Sequence, residues 1–252
     1  MTSKPGPRKR PARVSEAENI LRSLTTGEIT SCLLLPRGSN YTFLVTVLDD
    51  AGNSFRGVYK PADGERPLWD FPYGSLGRRE RAAYLLAEAL EWHFIPPTVL
   101  REGPHGFGSV QLFVEHDPEH HYFTLKDEFT EDFQRLFAFD WLANNADRKA
   151  GHCLKDLQNK IWGIDNSLTF HERHKLRTVI WDFAGQPIPE VILSDLAQLG
   201  SRLERTDGPL LAELGDLLEP EEMFALQRRL ETMLERRRFL ETHEGGVPWP
   251  WL

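Results

Sequence analysis

Asn145-Ala146-Asp147-Arg148-Lys149-Ala150-Gly151-His152, followed by Ile161-Trp162-Gly163-Ile164-Asp165-Asn166, is the stretch on which the reading of this chain turns. An Asp-Arg pair follows an amphipathic segment, and a second Asp ends an apolar, strand-like run. Phosphoryl transfer needs two carboxylates so arranged, one to orient or deprotonate the attacking hydroxyl and one to hold the metal that bridges the phosphates. Asp147 alone could be a plain helix cap. Asp165 tilts the reading, because Ile161 to Ile164 buries the backbone just before an acid, at a strand end where function concentrates.

Upstream, the order of elements frames this pair. Ser15 with Glu16 and Glu18 starts a short helix through Leu24. Ile29 to Leu35 and Tyr41 to Leu48 are β-rich runs that make a hairpin across Pro36-Arg37-Gly38-Ser39-Asn40, and Ser54 to Lys60 is a third strand. Arg78 to His93 repeats Ala82, Ala83, Leu85, Leu86, Ala89 and Leu90 at helical spacing. Thr98 to Glu102 and Gly108 to Val114 read as two more strands. Phe129 to Ala143 reads as a buried helix, Cys153-Leu154 with Lys160 to Ile164 as a short strand pair, and Leu193 to Arg205 and Pro220 to His243 as amphipathic helices. Sheet, helix, sheet, then mostly helix is an α+β chain with a strand-rich lobe followed by a helical lobe. The expected division is a basic, disordered arm over 1–14, a first lobe over 15–115 and a second over 116–252, with the crevice near Glu115 to Pro118.

Composition bounds the function. The 252 residues are 40% hydrophobic and 27% charged, ordinary for a globular chain. A net charge of -8 argues against a general nucleic-acid or anionic-membrane binder. Cys32 and Cys153 are the only cysteines, which predicts no disulfide framework and a reducing, cytoplasmic setting. No apolar run reaches the roughly 18 residues that a membrane span requires. There is no G-x-S-x-G elbow and no G-x-x-x-x-G-K-[ST] loop. His116, His120 and His121 cluster with Asp117 and Glu119, but the run lacks a Cys partner and reads as an exposed linker rather than a zinc site.

Lys60 ends a strand facing the expected crevice, where its ammonium can reach phosphate oxygens. Glu80, in the first turn of the following helix, is placed to pair with it. Taken singly, each has a simpler reading, a solvated lysine and an acid complementing a helix N-terminus.

Several segments resemble the type II phosphatidylinositol 4-kinases and bacterial proteins with the same Asp-Arg-Lys-x-Gly-His pattern. Gly108-Ser109-Val110-Gln111-Leu112-Phe113-Val114-Glu115 is similar to their hinge, Phe139-Asp140-Trp141-Leu142-Ala143-Asn144-Asn145-Ala146-Asp147-Arg148 to their catalytic-loop approach, and Ile164-Asp165-Asn166-Ser167-Leu168-Thr169-Phe170 to their metal-binding segment. Trp181 with Pro187 to Pro189 resembles a later Trp and Pro segment. The resemblance implies a phosphatidylinositol 3/4-kinase-like fold, ATP with Mg²⁺ or Mn²⁺, and a protein, lipid or small-molecule hydroxyl as acceptor. By position it implies Ser39 and Asn40 in a phosphate loop, Lys60 on the α-phosphate and Glu80 as its partner. Gln111, Leu112, Phe113 and Val114 become the adenine hinge, Asp147 the catalytic-loop acid and Asp165 the metal ligand. His152 stands where the family has a metal-holding Asn, Asn166-Ser167 replaces Asn-Gly, and the Pro61 to Gly77 loop lacks the family's Cys-rich, palmitoylated insertion. A stable membrane anchor is therefore not expected. His152 as a metal ligand would suit Mn²⁺ better than Mg²⁺. It also sustains a second reading, a pseudokinase that binds nucleotide or scaffolds. A third reading makes Pro248-Trp249-Pro250-Trp251-Leu252 a docking tail, against the plainer one in which it folds onto its own core.

Overall fold

The computed structural model describes residues 16–36, 40–205 and 208–252. The expected basic arm and Ser39 lie outside the described residues. The first element of the described residues is α1 (Glu16–Thr26), followed by β1 (Glu28–Leu34), β2 (Phe43–Leu48) and β3 (Ser54–Pro61). Helix α2 (Leu76–Ala89) separates these from β4 (Thr98–Gly103) and β5 (Gly106–Leu112). The five strands form one antiparallel sheet in the order β1-β2-β3-β5-β4. Alternation puts Val45, Val47, Tyr59, Val99 and Val110 on one face, where Leu24 of α1 covers them. Helix α2 contacts β4 and β5 from the other direction. A Cβ on Gly77 would lie 3.3 Å from Ser109 N, so glycine lets the helix approach the strand closely.

The rest of the chain is mainly helical: α3 (Tyr122–Leu125), α4 (Thr130–Ala143), the ribbon β6 (Cys153–Lys155) with β7 (Ile161–Gly163), then α5 (Glu190–Leu203), α6 (Pro209–Gly215) and α7 (Pro220–Arg236). Nine of the fourteen α4 residues are buried. With α2, α5 and α7 they form the larger core, so α2 belongs to both lobes. The expected α+β, two-lobed arrangement is the one observed.

Four local expectations are corrected. Helix α2 ends at Ala89 rather than His93, because Glu91 and His93 take positive φ values of 58° and 48° and reverse the chain. Helix α7 stops at Arg236, where Arg237 caps it at φ 52°, instead of running to His243. The stretch from Glu115 to Tyr122 is not a plain exposed linker: Tyr122 is buried, its hydroxyl donates to Asp182, and His116 bridges to Asp156. Helices α3 and α6 were not anticipated. Cys32 and Cys153 are both free. No helix among the described residues is long and apolar enough to cross a membrane.

Candidate active site

Lys60 is the seventh residue of β3 and pairs across to Ser109 of β5. Its ammonium lies 2.6 Å from Glu80 Oε1 and 2.8 Å from Asp165 Oδ1. Three elements distant in sequence thus meet at one nitrogen. Burial works against the Lys60 charge, but Asp165 and Glu80 outweigh it and hold the pKa above the ordinary lysine value. Glu80 lies in the second turn of α2, not the first, and is buried. Its other oxygen, Oε2, accepts the Asn166 backbone N–H at 3.0 Å. A buried carboxylate that receives a cation on one oxygen and an amide on the other is fully satisfied.

Asp165 follows β7 with φ 56°, the left-handed region that a non-glycine residue rarely occupies. Neighbouring bonds hold this conformation: Arg148 Nη1 donates to Ile164 O at 2.7 Å, and the Asn166 amide is tied to Glu80. The Asp165 side chain is 41% exposed, so it opens to a ligand while Lys60 holds its carboxyl well below the usual range. His152 Nε2 faces Asp165 Oδ2 at 3.4 Å. Its Nδ1 accepts the Lys149 backbone N–H at 3.3 Å, which assigns the proton to Nε2 and points it at the carboxylate. Burial pushes the imidazole down to about 4, so it is neutral near pH 7.

Asp147 sits in the loop between α4 and β6, its backbone N–H donating to Asn145 Oδ1 at 2.9 Å. Its Oδ2 is 3.0 Å from Lys149 Nζ. Burial raises its pKa, Lys149 opposes that, and the nearby Asp165 charge adds to it.

Beneath these groups is a polar core that sequence reasoning missed. Asp140 is fully buried on α4 and meets Arg148, also fully buried, at 3.0 Å. Asp140 also accepts from Asn145 Nδ2 at 3.0 Å and Thr178 Oγ1 at 3.1 Å. Arg148 reaches on to Asn166 Oδ1 at 2.6 Å. One guanidinium therefore fixes the loop of Asp147 to the loop of Asp165. A signal was present: a lone Asp inside Phe137-Ala138-Phe139-Asp140-Trp141-Leu142 demands a buried cation. Lys149, two residues from Asp147, was likewise overlooked.

The other expected residues that the structure describes make hydrogen bonds of their own. Asn40 Oδ1 accepts the Arg66 backbone N–H at 2.8 Å and so braces the loop after β3. Gln111 and Leu112 close β5, with Gln111 Nε2 bonded to Thr98 Oγ1 at 2.9 Å. Phe113 donates its N–H to Arg56 O, and Val114 O is 2.8 Å from His116 Nδ1. Among the described residues no group of three or more His, Cys, Asp and Glu side chains is arranged to hold a metal by itself.

The tail comes back to the site. Gly246 exchanges backbone bonds with Leu176 and Thr178, and Ala150 N–H donates to Trp251 O at 2.8 Å. Pro248 is buried, while Trp249 and Trp251 are exposed. The tail is thus seated through its backbone, with its large side chains outward.

Solved kinases share this architecture. The Golgi casein kinase with Mn/ADP bound superposes with a TM-score of 0.53 at 16% identity, over 87% of this chain and 74% of that one. The hydra Fam20 structure with sugar gives 0.54 at 15% identity, over 88% and 89%. The Helicobacter pylori proinflammatory kinase CtkA gives 0.51 at 11% identity, over 85% and 94%. These likenesses show a kinase-like fold. No family model matches the sequence. Protein Rv2133c of Mycobacterium tuberculosis is 35% identical over 263 aligned positions, covering 90% of this chain and 93% of that protein, and the chain belongs to the same family as Rv2133c.

Proposed function

We propose that the chain is an ATP-dependent phosphotransferase that uses Mg²⁺ or Mn²⁺ and acts on a hydroxyl acceptor, protein, lipid or small molecule. The observation that carries this is Lys60 Nζ held between Glu80 and Asp165, at 2.6 and 2.8 Å. A kinase-type site requires such a lysine–glutamate pair beside a metal-holding aspartate. The neighbour solved with Mn/ADP supports the same nucleotide and metal chemistry here.

In this reading Lys60 binds phosphate oxygens and Glu80 fixes its position. Asp147 orients the acceptor hydroxyl and takes its proton, and Lys149 sets a positive charge beside that carboxylate. Asp165, an oxygen donor open to the cleft, fits a hard divalent cation, which when bound would neutralise charge between the phosphates. His152 serves in our proposal as a hydrogen-bond donor to Asp165, because the Nδ1 bond to Lys149 leaves its Nε2 protonated and without a lone pair for metal. The segment Gln111 to Val114 is the proposed adenine hinge, and Ser39 and Asn40 the proposed phosphate loop. The finer assignment to a phosphatidylinositol 3/4-kinase-like class rests on the motif resemblance.

The test is ATP consumption by purified protein with Mg²⁺ and with Mn²⁺, beside Asp165→Ala and Lys60→Met. Turnover that needs metal and disappears in both folded variants is expected. Turnover retained in Asp165→Ala would defeat the assignment. Nucleotide binding without turnover would select the pseudokinase reading, which the occupied His152 favours.

A further inference from the structure

Glu80 can hold Lys60 only if α2 stays against the second lobe, and the preceding residue does the holding. Arg79 is 2% exposed although it carries a full charge. Its Nη2 lies 2.6 Å from Glu222 Oε1, at the first turn of α7. Its Nη1 donates to Thr169 O at 2.6 Å, and Nε to Ser75 Oγ at 3.3 Å. The guanidinium also sits 4.9 Å from the centre of the Phe71 ring. Glu222 is itself anchored, its Oε2 accepting the Glu219 N–H at 3.1 Å.

The two ends of the loop that carries Asp165 are therefore gripped by adjacent residues of α2. Glu80 takes the Asn166 N–H and Arg79 takes the Thr169 carbonyl. Thr169 Oγ1 closes the loop on itself by donating to Asn166 O at 2.7 Å. Neighbouring residues on a helix point about 100° apart, given 3.6 residues per turn. Two such bonds fix both the distance of α2 and its rotation about its own axis. Removing Arg79 would leave Glu80 as the remaining one of these two grips on the loop and free the helix to pivot.

We infer that Arg79 is a positioning residue that, with Glu222, pins α2 inward, so that the Lys60–Glu80 pair is assembled without a modification or partner to push the helix in. This rests on the phosphotransfer reading of the site. The contact differs from an ordinary stability ion pair in its direction: it joins the helix bearing Glu80 to the loop bearing the proposed metal-holding acid and to α7 behind it. A buried ion pair is often replaceable by apolar residues at little cost in stability. Stability and positioning can thus be separated by experiment.

The variants are Arg79→Lys, Arg79→Met and the double Arg79→Met/Glu222→Met, which removes both charges of this pair. Each is measured for ATP kcat and KM and for amide hydrogen exchange of α2 against that of α4. In the folded double variant kcat falls about tenfold or more while KM for ATP stays within about threefold, the signature of a lost positioning contact. Amides of α2 exchange faster, those of α4 do not, and Arg79→Lys recovers part of kcat because a lysine reaches one of the two partners. Wild-type kcat in the double variant, or a fall in kcat with α2 exchange unchanged, overturns the inference. Should the double variant not fold, Arg79→Lys decides by the same two readouts. If the wild-type protein consumes no ATP, the phosphotransfer reading fails, while exchange of α2 still reports whether Arg79 pins the helix.

Discussion

Replacing Arg148 with methionine tests whether the buried polar core ties the two acidic loops together. The substitution strips Asp140 of its cation at a site where neither side chain is exposed. Breaking a buried pair by removing one partner costs about 3–5 kcal/mol, because the remaining charge is stranded. Two features bear on that figure in opposite directions. Ile164 O and Asn166 Oδ1 also lose their donor, which adds an unsatisfied-group penalty of about 1–3 kcal/mol each. Asp140 keeps its bonds from Asn145 and Thr178, and burial already raises its pKa, so protonation relieves part of the strain. With these offsets the net loss stays near 3–5 kcal/mol, which for a chain of this size lowers the melting temperature by roughly 6–20 °C. The double variant Asp140→Asn/Arg148→Met removes the stranded charge and keeps a side-chain acceptor, so it recovers more than half of that loss. ATP turnover does not recover with it, since nothing then holds Ile164 and Asn166. Thermal melts and urea midpoints of the single and double variants are the assay. A melting temperature of Arg148→Met within about 1 °C of wild type, or a double variant no more stable than the single, would refute the reasoning.

Three further outcomes follow from particular contacts. A Cβ at Gly108 would lie 2.3 Å from Lys60 O and 2.7 Å from Pro61 Cα, both backbone, so Gly108→Ala shifts β3 and weakens ATP binding as well as stability; unchanged nucleotide affinity in the folded variant would show that Lys60 had not moved. Tyr122→Phe removes the hydroxyl that donates to Asp182, costs about 1 kcal/mol, and lowers the melting temperature by about 2–4 °C with no change in KM for ATP. The Arg236 hydrogen bond holds Glu244 down to about 2 from an ordinary 4.5, so its stabilising contribution is fully present above about pH 4.5 and is lost as pH falls toward 2. The stability gap between wild type and Glu244→Gln in urea therefore narrows from pH 7 to pH 3, and an equal gap at both values would exclude the linkage.

Much of this was legible because period and chemistry coincide. The alternation in Phe43 to Leu48 and the helical spacing in Ala82 to Leu90 mark the sheet and α2 directly. The motif order along the chain marks Lys60, Glu80 and Asp165, which meet as adjacent groups. What was not legible depended on partners far away in sequence. Tyr122 reads as part of a polar linker until Asp182 appears sixty residues on. Helix α7 should continue on pattern alone, but Arg237 turns left-handed and its carbonyl takes the Ile188 N–H, so tertiary bonding ends the helix. Nor does the sequence show where side chains bond: Asn40 Oδ1 takes the Arg66 N–H and His152 Nδ1 the Lys149 N–H.

The bond from Ala150 N–H to Trp251 O has an experimental consequence of its own. It couples the loop that carries Asp147 to a segment a hundred residues later whose indoles stand in solvent, Trp249 and Trp251 in edge-on contact at 5.6 Å. Indole emission responds to solvent and to nearby charge, so these two side chains form a built-in optical probe of the cleft. Tail motion during turnover would register in the native fluorescence without any added label. The same bond makes peptides or tags fused beyond Leu252 a perturbation of the loop itself.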